Sequence, residues 1–365
     1  MAHNIDSRFH LPDVIMIKSP ARHTIADVAR HAGVSKATVS RFLNHRETLL
    51  SPEIAARVET AIAQLGYTPS PMAQSLKRGR SRLIGLVVAD ITNPYSVAVL
   101  RGAEQACREA GYLLMLFNLG NEGERETAGI HALSSYRVEG FILNTMGHDA
   151  GALLETARQG KPMVLVDRLH KGLDVDFVSL DNRQAIYLSA QHLLDAGYHE
   201  LLLVSEPLGE VSSRVERVQA FGSFVAGHPA VAGHCVESRE QDRDTLSQAL
   251  LACRDRAQAR STVPAIIANN AVVTLRIVAA VDRLGWELGR DVGLIGIDDT
   301  EWAPYVGPGI STVSQPTNEL GRKAAQCLMQ RVGGSSVPAR QILLAGTLMA
   351  RGSSRPATAP AKVLI

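Results

Sequence analysis

Seven short apolar runs punctuate the chain from Leu83 onward: LIGLVVAD (83–90), YLLMLFN (112–118), EGFILN (139–144), PMVLVD (162–167), ELLLVS (200–205), PAIIAN (264–269) and DVGLIGID (291–298). Several are continuously apolar instead of alternating, which is the pattern of parallel strands covered on both faces. Amphipathic stretches such as SVAVLRGAEQACREAG and AVVTLRIVAAVDRLG lie between them. Repeated βα order restricts the fold to an α/β architecture with parallel sheets. The stretch from residue 83 to 365 is long for one sheet, so two such units side by side are expected.

The segment before these runs obeys a different period. Thr24 followed by Asp27 can cap the helix IADVARHA; Gly33 supplies a turn; Ser35 caps a second helix, KATVSRFLN; and Ser51-Pro52 opens a third, PEIAARVETAIAQL, closed by Gly66. Ile25, Val28, Ala29, Val34, Val39, Ile54, Val58 and Ile62 recur at helical spacing and can form one miniature core. Two short helices joined by a glycine turn, then a third, make a helix-turn-helix plan. Residues 1–23 lack a sustained period and are expected to be a poorly ordered extension, with Met16 an alternative start. In YTPSPMAQSLKRGRS, Ser70-Pro71 can start a helix too short to be stable until something packs on it.

Charge divides along the same boundary. The overall balance is +2, yet residues 1–82 hold twelve Lys and Arg against six Asp and Glu, while the rest holds 26 against 30. A basic head on an acidic body is the asymmetry of a chain whose one end meets a polyanion.

With 45% apolar and 20% charged residues over 365 positions, the chain suits two or three globular domains and excludes collagen-like, disordered and disulfide-scaffold classes. No stretch reaches the roughly 18 apolar residues of a membrane span. The first twenty residues lack the marks of a secretory leader, so a cytoplasmic location is expected. Cys107, Cys235, Cys253 and Cys327 form no C-x-x-C pair and are expected as buried reduced thiols, with no metal site and no cofactor. Phosphate loops, G-x-S-x-G and H-E-x-x-H are absent, and the twelve histidines are scattered. An enzyme reading therefore has little to stand on.

TIADVARHAGVSKATVSRFLN, the proline-led segment after it, and then ADITNPY (89–95), VLVDR (164–168), SLDN (179–182), ERVQAF (216–221), IIANN (266–270) and GIDD…ISTVSQP (296–316) follow in order. Together they resemble the LacI/GalR family of transcriptional repressors from about Thr24 to Arg351. The wording SYRVEGFILNTMGH (135–148) and VSEPLGEVSSRVERVQAF (204–221) is similar to the branch that represses 2-ketogluconate utilisation.

The resemblance implies a small all-α headpiece (24–68), a hinge helix and linker (69–82), a two-lobed α/β effector domain of periplasmic-binding-protein type (83–351) and a flexible tail (352–365). The first lobe would comprise about 83–180 and 311–333, the second about 181–310 and 340–351. It places Lys36, Ala37 and Arg41 at base edges in the major groove, Ser35, Thr38, Ser40 and Asn44 on phosphates, and Thr24 at the DNA surface. Leu76, with Met72 and Ala73, would enter the minor groove, with Lys77, Arg78, Arg80 and Arg82 near phosphates. Where the family usually has Asn after the first proline, this chain has Ser70-Pro71.

In the cleft the resemblance implies Tyr95, Asp181, Ser213, Arg217, Asn269 and Asp298 as effector contacts, with Arg168 and Arg214 available to an acidic sugar. Each of these also suits a structural ion pair or cap. Asp299 reads as structural, and Trp302 as core or as a stacking surface. Asn269-Asn270 replaces a common Asn-Asp and removes a negative charge near the cleft. The partners implied are operator DNA, a sugar or sugar-acid effector such as 2-ketogluconate, 2-keto-3-deoxygluconate or gluconate, and a second copy of the chain. The tail has no leucine heptad for a coiled coil. A sugar-binding transport protein would need a leader and no basic head; a sugar-acid enzyme would turn its ligand over.

Overall fold

Asp27 sets the start of the first helix: its carboxylate accepts from the Thr24 N–H at 2.9 Å and from Thr24 Oγ1 at 2.7 Å. Helix α1 (Ile25–Ala32) ends at Gly33, whose φ of 61° is the left-handed closure that glycine adopts without strain. Arg57 donates to the carbonyls of Ala32 and Gly33, satisfying the end of α1 from outside. Ser35 Oγ accepts from the Thr38 N–H at 3.1 Å and opens α2 (Lys36–Leu43). Ser51 does the same for α3 (Pro52–Leu65). Val28, Ala29, Ala32, Val39, Val58 and Ala61 form the core, with Ile25, Val34 and Ile62 half-buried around it.

This computed structural model describes residues 23–44, 50–68, 80–122, 124–145, 150–170, 172–239 and 243–355. The extension before His23, the hinge residues Met72, Ala73, Leu76, Lys77 and Arg78, and the tail from residue 356 lie outside the described residues. The chain divides into two compact units, Met1–Arg80 and Ser81–Ile365.

In the larger unit all seven apolar runs become strands: β1 (Leu83–Val88), β2 (Leu113–Asn118), β3 (Gly140–Asn144), β4 (Met163–Val166), β6 (Glu200–Ser205), β8 (Pro264–Ala268) and β9 (Gly293–Ile297). Five more strands complete two six-stranded sheets: β5 (Asp176–Leu180), β7 (Ala232–Glu237), β10 (Ser311–Ser314), β11 (Gln341–Leu344) and β12 (Thr347–Met349). The first sheet has order β11-β5-β4-β3-β1-β2 and is parallel throughout. The second, β12-β10-β9-β8-β6-β7, is parallel except for the β10–β12 pair.

Successive residues of each strand serve opposite cores, as the two-residue period requires. On the first sheet Ile84, Leu86 and Val88 face α4 (Pro94–Glu109) and α11 (Thr317–Val332). Val87, Phe141 and Leu143 face the other way, toward α5 (Arg125–Ser135) and α6 (Ala150–Arg158). The second sheet is sandwiched likewise. Leu201, Leu203 and Ile267 pack on α7 (Asn182–Asp195) and α8 (Ser212–Gly227). Leu202, Val204 and Ile266 pack on α9 (Arg243–Ala259) and α10 (Ala271–Arg283). Helices α4 and α11 cross so closely that a Cβ on Gly102 would overlap the Asn318 carbonyl oxygen, and one on Gly321 the Val99 carbonyl oxygen.

Three expectations are corrected. Residues 311–314 belong to the second sheet, not the first, and 341–344 to the first, not the second, so only α11 of the stretch 311–333 joins the first lobe. The packed chain does not end at 351: Ser353 and Ser354 are buried, and Ser353 Oγ donates to the Leu294 carbonyl at 2.6 Å. Cys235, on edge strand β7, is exposed, while the other three thiols are buried. Arg82, just before β1, is exposed. Its N–H donates to Glu139 Oε1 at 2.7 Å and its guanidinium reaches the Gly111 carbonyl at 3.4 Å.

Candidate functional site

In the headpiece, capping uses up some of the expected contact groups and leaves others outward. Thr24, Ser35 and Thr38 hydroxyls are held in local hydrogen bonds, and Asn44 Nδ2 donates to the Ser40 carbonyl. Lys36, Ala37 and Arg41 are exposed on α2. A cation at the helix start, a methyl and a second cation one turn on are chemistry suited to guanine, thymine and phosphate.

The larger unit holds a cavity of about 640 Å³ at the carboxyl ends of both sheets, where open α/β sheets collect ligands. Asp90 and Asp167 follow strands β1 and β4, and Asn144 ends β3; Glu206, Asn269, Asp298 and Gln315 follow β6, β8, β9 and β10. Tyr95 enters from the first turn of α4, behind the cap formed by Asn93 Oδ1 on its N–H. Ser213, Arg214 and Arg217 come from α8.

Two carboxylates have matching backbone settings. Asp167 has φ 66° and Asp298 φ 81°, a left-handed conformation that for a non-glycine residue costs roughly 1–3 kcal/mol and recurs at ligand sites. In each case the N–H pairs with the next strand, Asp167 with the Val178 carbonyl and Asp298 with that of Val313, both at 3.0 Å. The turn thereby aims the side chain across the sheet end. Asp298 accepts from Gln315 Nε2 at 2.6 Å and from the Ala271 N–H at 3.2 Å. Asp167 accepts from Ser213 Oγ at 3.2 Å.

Arg217 is buried between the lobes. Its Nε donates to Asn182 Oδ1 at 2.8 Å, its Nη1 donates to the Asn269 carbonyl, and its Nη2 lies 4.0 Å from Asp167. Burial raises the Asp298 pKa, against the opposing pull of Arg217 and of the Ala271 and Gln315 donors. Burial, with Asp167 and Asp298 adding, pushes the Tyr95 hydroxyl well above its usual range, so it is a donor. Tyr95 Oη, Asn269 Oδ1 and Gln315 Oε1 are shielded from solvent yet bond to no protein atom among the described residues. Buried polar atoms left unpaired are costly, and these three belong to residues lining the cavity.

Tyr95, Arg168, Ser213, Arg217, Asn269 and Asp298 therefore come together, with Arg214 and Trp302 beside them. Asp181 does not. Its carboxylate caps α7 through the Gln184 N–H at 2.9 Å and it is not part of the cavity wall. Asp299 is structural, bound by Arg351 at 2.7 and 3.0 Å and by Thr312 at 2.7 Å. Trp302 serves both readings, lining the cavity while packing on the core under α10. Asp90, Asp167, Glu206, Arg276 and Gln315 were missed. The signal was present for two: Asp90 and Asp167 are the polar last residues of apolar runs, the register that delivers Asp298.

No group of three or more His, Cys, Asp or Glu able to hold a metal ion occurs among the described residues. No helix among them is long and apolar enough to cross a membrane.

Comparison with known proteins follows the same division. Residues 24–70 match the bacterial regulatory proteins of the lacI family, and residues 190–354 match the periplasmic binding protein-like domain. The HTH-type transcriptional regulator PtxS of Pseudomonas aeruginosa is 45% identical over 341 residues, spanning 93% of this chain and 98% of that protein. The HTH-type transcriptional regulator KdgR of Bacillus subtilis is 38% identical over 339 residues, spanning 92% and 99%. Among solved structures, the lac repressor dimer bound to operator and the anti-inducer ONPF aligns with a TM-score of 0.77 over 92% of this chain and 100% of that one. At 24% identity that likeness shows the fold.

Proposed function

The chain belongs to the LacI family of bacterial transcriptional repressors, and from that premise we propose that it silences a sugar-acid catabolic operon and leaves its operator when 2-ketogluconate fills the cleft. It is a DNA-binding regulator and not an enzyme, as its relatives are named regulators. The observation that carries the effector reading is the charge of the cavity wall. Six guanidiniums (Arg168, Arg214, Arg217, Arg239, Arg276 and Arg283) face four carboxylates (Asp90, Asp167, Glu206 and Asp298), with no lysine or histidine among the lining residues. A wall with surplus arginine suits a polyhydroxylated anion better than a neutral sugar. Tyr95, Ser213, Asn269 and Asp298 supply donors and acceptors for its hydroxyls.

The mechanism is linkage between two sites. A dimer places one helix-turn-helix (24–68) in each half of a pseudo-palindromic operator, α2 reading bases through Lys36, Ala37 and Arg41. The hinge (69–82), with Met72, Ala73 and Leu76, meets the minor groove at the operator centre. The effector binds the DNA-free arrangement of the lobes more tightly and so lowers operator affinity by the same factor. Such a protein works in the cytoplasm, where operator and catabolite meet. In a mobility-shift assay, 2-ketogluconate releases the operator; unchanged affinity at saturating ligand refutes that effector. Gluconate and 2-keto-3-deoxygluconate in parallel lanes identify the alternative acids.

A further inference from the structure

Helix α2 is the element of the headpiece that the core holds least. Of its eight residues only Val39 is buried, with Phe42 and Leu43 half-buried beside it. Helix α1 buries Val28, Ala29 and Ala32, and α3 buries Val58 and Ala61. The direction of α2 therefore depends on the turn that precedes it. In that turn the Gly33 N–H donates to the Arg30 carbonyl at 3.2 Å and the Val34 N–H to that of Ala29 at 2.9 Å, which closes α1. The Ala32 and Gly33 carbonyls, nearest to α2, have no backbone partner among the described residues.

Arg57 of α3 takes up both. Its Nη2 donates to the Ala32 carbonyl at 2.5 Å and to the Gly33 carbonyl at 3.2 Å, and a cation is favourably placed at a helix C-terminus. Arg57 adjoins Val58, a core residue, so its backbone is fixed while its side chain reaches out to the turn. The turn is shaped to receive it: a Cβ on Gly33 would lie 2.5 Å from Arg57 Nη2. Gly33 thus lacks a side chain for two reasons, its left-handed φ of 61° and the guanidinium lying on it. Farther along α3, Gln64 Oε1 is 2.7 Å from His31 Nε2. Both ties border an open groove of about 420 Å³, walled also by Ala56, Thr60 and Ala61. At this edge the end of α1 and the turn are held to α3 by side-chain hydrogen bonds across a gap instead of by apolar contact.

We infer that Arg57 is a positioning residue for base recognition: its guanidinium ties the turn to α3 and sets the tilt at which α2 presents Lys36, Ala37 and Arg41. This rests on the base-reading role proposed above for those three residues, and it adds a determinant of operator discrimination that lies outside α2. At a rise of about 1.5 Å per residue, Arg41 stands about 7.5 Å beyond Lys36. A swing of about 10° at the turn moves it by more than about 1 Å, enough to open a hydrogen bond to a base edge. Contacts to phosphate, which fix register without reading sequence, follow such a swing more easily.

A duplex selected from a random library by the wild-type full chain serves as operator, and a shuffled duplex as non-specific DNA. Arg57→Met keeps the stem and removes the donors. It is expected to weaken operator binding about 10-fold and shuffled-duplex binding by less than about 3-fold. Single base-pair substitutions that cost the wild type about 10-fold are expected to cost this variant about 3-fold or less. Arg57→Lys, which keeps the charge and a donor but loses the fork, is expected to recover most of the discrimination. Discrimination is a ratio of affinities, so any unfolded fraction of the headpiece cancels from it, and a loss of stability alone leaves it unchanged. Unchanged base-pair penalties in Arg57→Met overturn the positioning role. Equal weakening on both duplexes, with a shallower salt dependence, assigns Arg57 to a phosphate and overturns it as well. Penalties retained in both Lys36→Ala and Arg41→Ala remove the base-reading premise itself; penalties retained in Arg57→Met alone remove only the positioning role.

Discussion

The headpiece and the two-lobed body are held together over different distances along the chain. In the headpiece the caps at the helix starts are local: Thr24 with Asp27, Ser35 with Thr38, Ser51 with the Ile54 N–H. Its core is six side chains, three of them alanines, in a size range where folding is marginal. The body is fastened by pairs far apart in sequence. Asp176 is gripped by Arg331 and Arg340, Ser311 by Arg351, Ser353 and Ser354, and Gly102 lies under the backbone at Asn318. A reader of DNA can thus be adjusted by single local changes, whereas the sensor yields or holds as a whole.

The most damaging test of that contrast is Gly102→Val. With no space between α4 and α11, the helices must separate, and the loss is expected to exceed about 3 kcal/mol. Urea unfolding that shows a wild-type midpoint would refute the close crossing.

Asp176→Asn comes next, at about 3–5 kcal/mol, because it strands two guanidiniums at a buried site. Burial works to raise the Asp176 pKa, but the hydrogen bonds from Arg331 and Arg340 win and hold the carboxyl well below its usual range. A carboxylate depressed in the folded state contributes stability that is complete above about pH 4 and is lost as pH falls below it. The variant's stability-against-pH curve should therefore be flatter than the wild type's on the acid side. Curves that stay parallel there would remove Asp176 from the account.

Headpiece changes should leave body melting alone. Arg41→Ala is expected to cost about 1–3 kcal/mol of operator binding, or roughly 10- to 100-fold, if it reads a guanine. Retained discrimination at every operator position would show that it does not. Ser35→Ala, smallest of the four, removes a cap worth about 1 kcal/mol. Faster hydrogen exchange confined to α1, α2 and α3 is the expected sign, and an effect spreading into the sheets would break the comparison.

What could be read from the sequence follows the same line. The caps and the Gly33 and Gly66 turns were legible because each is decided by residues within four positions. Six of the seven strands were legible because they lie inside the sheets, where burial on both faces leaves little place for polar residues, whereas β2 was legible as an apolar run although it is an edge strand with Leu113 exposed. DFVSL (176–180) and AGHCVE (232–237) escaped notice because polar and small residues interrupt them. The lobe exchange of STVS and QILL was invisible for another reason: a four-residue strand is assigned by the edge that is open to it, not by its composition. In the cleft, polar residues closing an apolar run announced their location, whereas Asp181 was misplaced because the same position at the end of β5 feeds a helix cap.

The order in which the chain crosses between sheets has a consequence for its synthesis. Growing from the N-terminus, the basic headpiece has all three helices once residue 65 is made. The first sheet lacks its β11 edge until residue 344, and the second lacks β12 until residue 349 and its buried Ser353 and Ser354 after that. Both lobes are thus finished almost together, at the very end. During translation the nascent polypeptide carries a complete polyanion-binding module long before it has a sensor to govern it.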